Sequence, residues 1–216
     1  MNYRQIARVL GLLMLPFGAS MLLCVPWSVL DGDYRAGAAV LASSVITMLA
    51  GGALFAIGWG APARFYQREG IAVVALMWVL ASFFGSLPFV LSGSCGFVFA
   101  LFETVSGLTT CGASIFDDVE AVPKAVLFWR SLTHWLGGLG IVVLFMNVLP
   151  YLGVGGKMLM RYESTGAHPM SLRPRIKANA LVLLKIYLGL TALQTIALLA
   201  TGTMDLFDAL CHTFGT

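Results

Sequence analysis

The sequence predicts an all-α membrane protein made of helix, re-entrant pore helix, helix units behind an extra N-terminal helix pair. Three observations carry this. Of the 216 residues, 59% are hydrophobic and 11% charged, where a soluble domain carries about 25% charged residues, and the mean hydropathy is +0.89. Apolar runs near the length of a bilayer-crossing helix, about 20 residues, recur along the chain. One further apolar stretch, residues 97–108, is too short to cross and is followed by Thr109-Thr110-Cys111-Gly112-Ala113-Ser114, hydroxyls and a glycine set between two spans.

In order, the first span covers residues 6–30. Arg4 and Arg8 before it imitate an export signal, but the apolar run is too long for a signal core, and Leu23 precedes Cys24 where a lipoprotein site needs a small residue. It reads as a mature helix, kinked where Pro16 and Pro26 remove backbone donors. After a polar turn at 31–35, the second span covers 36–60, and Gly52, Ala56 and Gly60 give it a small-xxx-small face suited to close helix approach. A loop with Arg64 and Arg68 leads to the third span, 71–91, and a Ser-Gly-Ser-Cys-Gly turn delivers the chain into the short helix, whose pattern stops at Gly107. Asp117, Asp118 and Glu120 follow, and Pro123, at a first helical position, opens the fourth span, 123–149. The polar stretch after it imitates a nucleotide loop at 153–157, but Tyr151 and Met158 replace the glycine and the Ser/Thr of that motif, which excludes it. The fifth span, 178–201, is followed by a second short segment, 204–216. The chain therefore divides into an N-terminal helix pair (1–62), a first complete unit (71–150), a cytoplasmic loop (151–177) and the first half of a second unit (178–216).

Charge sets the orientation. With the N-terminus inside, Arg4, Arg8, Arg64, Arg68, Lys157, Arg161, Arg173, Arg175 and Lys177 are cytoplasmic, and only Arg35 and Lys124 lie outside. That asymmetry predicts a cytoplasmic N-terminus, and it holds only if residues 97–116 enter and leave on one side. The acids Asp31, Asp33, Asp117, Asp118, Glu120 and Asp205 then fall mostly outside, where each reads equally as a solvated loop end and the group as a means of concentrating cations at a pore mouth. An internal repeat is expected as well: residues 100–106 (Ala-Leu-Phe-Glu-Thr-Val-Ser) align with 205–211 (Asp-Leu-Phe-Asp-Ala-Leu-Cys), pairing Glu103 with Asp208.

A cation stripped of water inside a bilayer needs replacement oxygens, which a short extended backbone supplies as carbonyls. Gly112 among small neighbours meets the need for a bend without a plugging side chain, and a helix ending just before it aims a partial negative charge at the path. Taken alone, the same segment also reads as an ordinary turn.

The motifs Leu101-Phe102-Glu103, 106–114, Pro123-Lys124-Ala125, Phe128-Trp129-Arg130, 135–141, Leu149-Pro150, Pro174-Arg175 and Phe207-Asp208-Ala209 together resemble the Trk/Ktr/HKT superfamily of potassium transporters, in its bacterial Trk type. The resemblance implies potassium-channel-like units, four around one pore, and the transport of potassium through a filter to which this chain contributes Thr109, Thr110, Cys111, Gly112 and Ala113, with Gly112 the K+ ligand through its backbone. Cys111 stands where threonine is more usual. It further implies a bacterial inner-membrane protein, a homodimer docking a cytoplasmic nucleotide-binding regulatory subunit, and no covalently bound cofactor or nucleic-acid partner. One and a half units against four make the chain a fragment of a longer pore on this reading, and a non-conducting assembly or regulatory partner is the alternative. No HExxH, GxSxG or in-span carboxylate pair suggests an enzyme.

Four widely spaced cysteines (Cys24, Cys95, Cys111, Cys211) read as small fillers. Arg130 and His134 share a helix face, and either Arg130 pairs with Glu103 to support the pore helix or it snorkels outward from the early part of its span. Lys185 is expected to snorkel, Asn147 and Gln194 to join helices by hydrogen bonds, His168 to be solvated in its loop, and His212 to pack within the second pore helix.

Overall fold

The computed structural model describes residues 2–61, 67–119, 121–148 and 172–216, and its side chains except those of Gln67, 141–148 and 172–180. Those residues are helical throughout apart from turns and one extended return segment. The elements are α1 (Tyr3–Met21), a 3-10 turn (Leu22–Cys24), α2 (Val25–Asp31), α3 (Tyr34–Ile57), α4 (Gln67–Gly85), α5 (Leu87–Ser92), α6 (Phe97–Leu108), α7 (Lys124–Val148), α8 (Leu172–Ala200) and α9 (Leu206–Gly215). Among the described residues, four stretches are long and apolar enough to cross a membrane: Tyr3–Asp31, Tyr34–Ile57, Arg68–Ser92 and Leu181–Ala200. The 25 residues of α7 reach about 37 Å at 1.5 Å per residue. The 12 residues of α6 reach only about 18 Å, short of a hydrocarbon core of about 30 Å.

Prolines act unevenly. Pro26 sits in the first turn of α2, just past the 3-10 break, and Pro88 opens α5 after the break at Ser86, positions where no N–H is needed. Pro16 lies inside α1 without ending it, so only one of the two expected interruptions of the first span occurs. At the second break the freed Gly85 carbonyl accepts from Trp129 Nε1 at 2.8 Å, which ties α4 to α7 through a fully buried ring.

The first two spans pack on a different face from the one expected. Gly52 and Gly60 have nothing near a would-be Cβ, and Ala56 is exposed. The close approach is made one residue round the helix: a Cβ on Gly11 would lie 2.5 Å from the Gly51 carbonyl, Gly58 abuts Arg4 and Arg8, and Gly18 faces Thr47 and Met48. Ser44 Oγ donates to the Gly18 carbonyl at 2.8 Å. Gly37, Ser44, Gly51 and Gly58 recur every seven residues, the spacing that keeps one seam facing a partner.

Helix ends sort into two sets. Asn2 N–H donates to Glu69 at 2.7 Å and Arg4 Nη2 to the Trp59 carbonyl at 2.9 Å, gathering the N-terminus, the end of α3 and the start of α4. At the other side Lys124 pairs with Asp31 at 3.0 Å and lies over the Phe207 ring, gathering the end of α2 and the starts of α7 and α9. The turn before α6 joins that second set, since Arg35 borders Gly93. Residues 97–116 therefore enter and leave on one side.

Two further expectations change. Helix α8 begins at Leu172, so Arg173, Arg175 and Lys177 lie on helix rather than in loop. Pro123 precedes α7, and its carbonyl accepts from Val126 and Leu127. His168, Glu120 and most of loop 151–177 fall outside the described residues, as does the Asn147 side chain.

Candidate functional site

The site is built where α6 ends. The helix continues one residue past Gly107, to Leu108. Gly107 instead permits close packing: a Cβ there would overlap Thr133 Oγ1, and one on Gly137 would overlap the Leu108 carbonyl. These two contacts seat the pore helix directly on α7. The last turn closes by two bonds, Thr110 N–H to the Gly107 carbonyl and Cys111 N–H to the Ser106 carbonyl, both 2.9 Å. This is a Schellman arrangement, which places a left-handed residue just beyond the helix. That residue is Thr110, at φ 58, and Gly112 follows at φ 78. A glycine takes such a backbone freely, whereas a β-branched threonine does so at a cost of about 1–2 kcal/mol. Thr110 is thus the strained position, a feature hidden behind the expectation that glycine alone makes the bend.

Peptide planarity then orients the carbonyls. The N–H groups of Thr110 and Cys111 turn back into the helix, so the carbonyls of Thr109 and Thr110, each opposite the following N–H in a trans peptide, turn away from it. Among the described residues no donor reaches the carbonyls of Thr109, Thr110 or Cys111, and residues 109–114 are all exposed. The next two carbonyls are taken: Gly112 O accepts from Arg130 Nη2 at 3.3 Å and Ala113 O from Ser106 Oγ at 2.6 Å.

Glu103 is the hub behind this strand. Its side chain is fully buried and Arg130's is 15% exposed, with Arg130 Nε 2.9 Å from Oε2. The other oxygen accepts from Ser114 Oγ at 2.7 Å and from Ile115 N–H at 2.5 Å. The Arg130–Glu103 pair is therefore present, and it holds the returning strand as well as the helix. His134, nearly buried, anchors Nδ1 on the Arg130 carbonyl at 3.0 Å and faces Gly112. Ser106 and Ser114 were not singled out from sequence; their roles depend on how the strand folds back along α6, which spacing alone does not reveal.

The second pore helix corrects the register of the repeat. Both helices contain a buried alanine to which a threonine four residues on donates, Thr104 to Ala100 at 2.8 Å and Thr213 to Ala209 at 2.7 Å. Ala100 and Ala209 are each 0% exposed. Aligned on these, Ala100-Leu101 matches Ala209-Leu210, and Glu103 matches His212 rather than Asp208. The shift of four residues is about one helical turn. Asp208 instead lies in the first turn of α9, its N–H capped by Asp205 at 2.8 Å, where a carboxylate complements the helix N-terminus.

A cavity of about 400 Å³ separates the return strand from α9, lined by Gly112, Arg130, His134, Asp208 and His212 among others. His212 is exposed to it rather than packed in its helix. Gln194 borders a second cavity and makes no side-chain hydrogen bond among the described residues; there the joining of α7 to α8 falls to Trp135 Nε1, which donates to Thr191 at 3.1 Å, and to Tyr187, which donates to the Trp135 carbonyl at 3.0 Å. Lys185 is exposed. Of the cysteines, Cys24 is buried filler, while Cys111 is exposed in the strand.

A short helix entering and leaving on one side, an extended strand with free carbonyls and a second pore helix define a polytopic membrane protein of the helix, pore helix, helix class. The family of TrkH cation transport proteins matches residues 36–216, and the chain belongs to that family. It is 40% identical across its whole length to the Trk system potassium uptake protein TrkH of Halomonas elongata, covering 45% of that relative, and 38% identical to the protein of the same name from Escherichia coli K12, again covering 45%. The crystal structure of the potassium transporter TrkH from Vibrio parahaemolyticus superposes with a TM-score of 0.83 at 32% identity, over 99% of this chain and 42% of that one. The chain thus spans about half the length of the curated relatives it matches.

Proposed function

We propose that the chain supplies one filter strand of a potassium uptake protein. The observation that carries this is the strand at 109–113, whose Thr109, Thr110 and Cys111 carbonyls meet no donor among the described residues and stand at the C-terminal, partially negative end of a short helix. Cys111 contributes only its carbonyl, so its thiol in place of a threonine hydroxyl changes little. Gly112 and Thr110 set the curvature, Ala113 ends the strand, and Glu103 with Arg130 keep it in place. The transported ion is K+, and further strands like this one complete the ring of oxygens. The N-terminus is cytoplasmic in a bacterial inner membrane, and the whole protein works as a homodimer with a nucleotide-binding regulatory subunit on its cytoplasmic face. The names of the relatives support the ion, the basic charge bias supports the orientation, and the dimer and its regulatory subunit rest on the family resemblance of the motifs.

The test is rubidium uptake into proteoliposomes containing the protein expressed from the complete reading frame. Uptake well above that of empty vesicles, and competed by K+ more than by Na+, is expected. Uptake equal to that of empty vesicles would leave a non-conducting assembly partner as the function.

A further inference from the structure

We propose that Ser106 is a positioning residue that sets the ion selectivity of this strand; the inference rests on the filter reading above. Ser106 is 5% exposed and holds the strand at two points. Its carbonyl accepts the Cys111 N–H at 2.9 Å, and its hydroxyl donates to the Ala113 carbonyl at 2.6 Å. The first contact belongs to the backbone and survives any side-chain change. The second belongs to the hydroxyl alone.

The consequence is a boundary within the strand. Upstream, the carbonyls of Thr109, Thr110 and Cys111 have no protein donor among the described residues. Downstream, the Gly112 carbonyl is held by Arg130 at 3.3 Å and the Ala113 carbonyl by Ser106. The Arg130 contact is long for a hydrogen bond, near the edge of the usual N–H···O range, whereas the serine contact is short even for O–H···O. The hydroxyl is therefore the firmer of the two restraints on where the set of free oxygens ends. A carbonyl released from it is free to turn, and beside a cation path the ion competes with water as its partner. An added, mobile oxygen changes the number and stiffness of the ligands, and ligand number and filter flexibility are among the quantities on which discrimination between K+ and Na+ depends.

The experiment compares Rb+ and Na+ uptake in proteoliposomes of the complete protein carrying Ser106→Ala, Ser106→Thr, Ser106→Cys or Thr104→Val. Thr104 is a fully buried hydroxyl on the same helix that among the described residues bonds the Ala100 carbonyl alone, so it reports purely structural loss. Ser106→Ala is expected to lower the Rb+/Na+ ratio about tenfold, the factor that about 1.4 kcal/mol represents. Ser106→Thr restores the ratio, and Thr104→Val leaves it at the wild-type value. Should Ser106→Ala fail to fold, Ser106→Cys, of similar size and a weaker donor, takes its place with an intermediate loss. A wild-type ratio in a folded, transporting Ser106→Ala or Ser106→Cys protein overturns the inference, as does an equal loss in Thr104→Val. Absence of uptake by the wild-type protein instead overturns the filter reading itself.

Discussion

Replacing Arg130 by methionine should be among the most damaging single changes available in the first unit. The guanidinium satisfies one oxygen of a fully buried carboxylate, with only 15% of the arginine side chain exposed, and its loss strands that charge beside the two donors Ser114 and Ile115. Breaking a buried pair from one side costs about 3–5 kcal/mol. At roughly 2–4 °C per kcal/mol for a chain of 150–250 residues, Arg130→Met should lower the melting temperature by roughly 6–20 °C, read as loss of the monodisperse peak of the detergent-solubilised protein after heating. Glu103→Gln should be destabilising too, because its amide presents N–H to the Arg130 donor. Glu103→Gln with Arg130→Met removes the stranded charge and the donor clash together, and should be less damaging than the sum of the singles by about 2 kcal/mol, within the range of coupling between contacting residues. Single effects that add within about 0.5 kcal/mol, the behaviour of independent sites, would refute the idea that this pair acts as a unit.

Three other changes probe separate links. Gly137→Ala drives a methyl into the Leu108 backbone, which cannot step aside as a side chain would; a loss of about 3 kcal/mol or more is expected by thermal melting, beyond the 1–3 kcal/mol typical of overpacking, and a wild-type melting curve would contradict the close seating of α6 on α7. Thr110→Gly removes a β-branched residue from φ 58 and should raise stability by up to about 1 kcal/mol, while lowering discrimination between Rb+ and Na+ uptake as the strand loosens; a drop in melting temperature would show that Thr110 is not strained. Reporter fusions after Asp118 and after Glu163 should read opposite sides of the membrane, Asp118 outside; the same side for both would contradict the re-entrant path.

Much of this architecture was legible because the bilayer imposes coarse rules. Span lengths, the bias of Lys and Arg, and the shortness of residues 97–108 together require a re-entrant segment, and the sorted helix ends agree. The Arg130–Glu103 pair was legible as one of two outcomes, because an arginine within a span either finds a partner inside the bundle or snorkels to the interface, and the structure shows the pair. What failed was register. The repeat aligned on Phe-Asp at 207–208, yet the matching geometry follows the buried alanines at 100 and 209, because packing against α7 and α8 fixes a pore helix while the charge after a phenylalanine does not. The small-residue face fell one position off for a similar reason. Gly52, Ala56 and Gly60 satisfy the four-residue pattern, but α1 and α2 meet the second span along a seven-residue seam that was equally visible in Gly37, Ser44, Gly51 and Gly58. Thr110 was legible as a filter residue but not as the left-handed turn, and Ser106 and Ser114 were legible only as members of a motif, since their hydrogen bonds form when the strand turns back along its helix.

The central claim, that residues 109–113 form a strand of a cation filter, is tested most directly by the Rb+/Na+ uptake ratio of Gly112→Ser in the complete protein. Gly112 stands at φ 78, facing His134, so a side chain there strains the bend by about 1–2 kcal/mol and shifts the neighbouring carbonyls. The ratio should fall by about tenfold while the protein remains folded and conducting. A folded, conducting Gly112→Ser protein with the wild-type ratio would remove this strand from the filter.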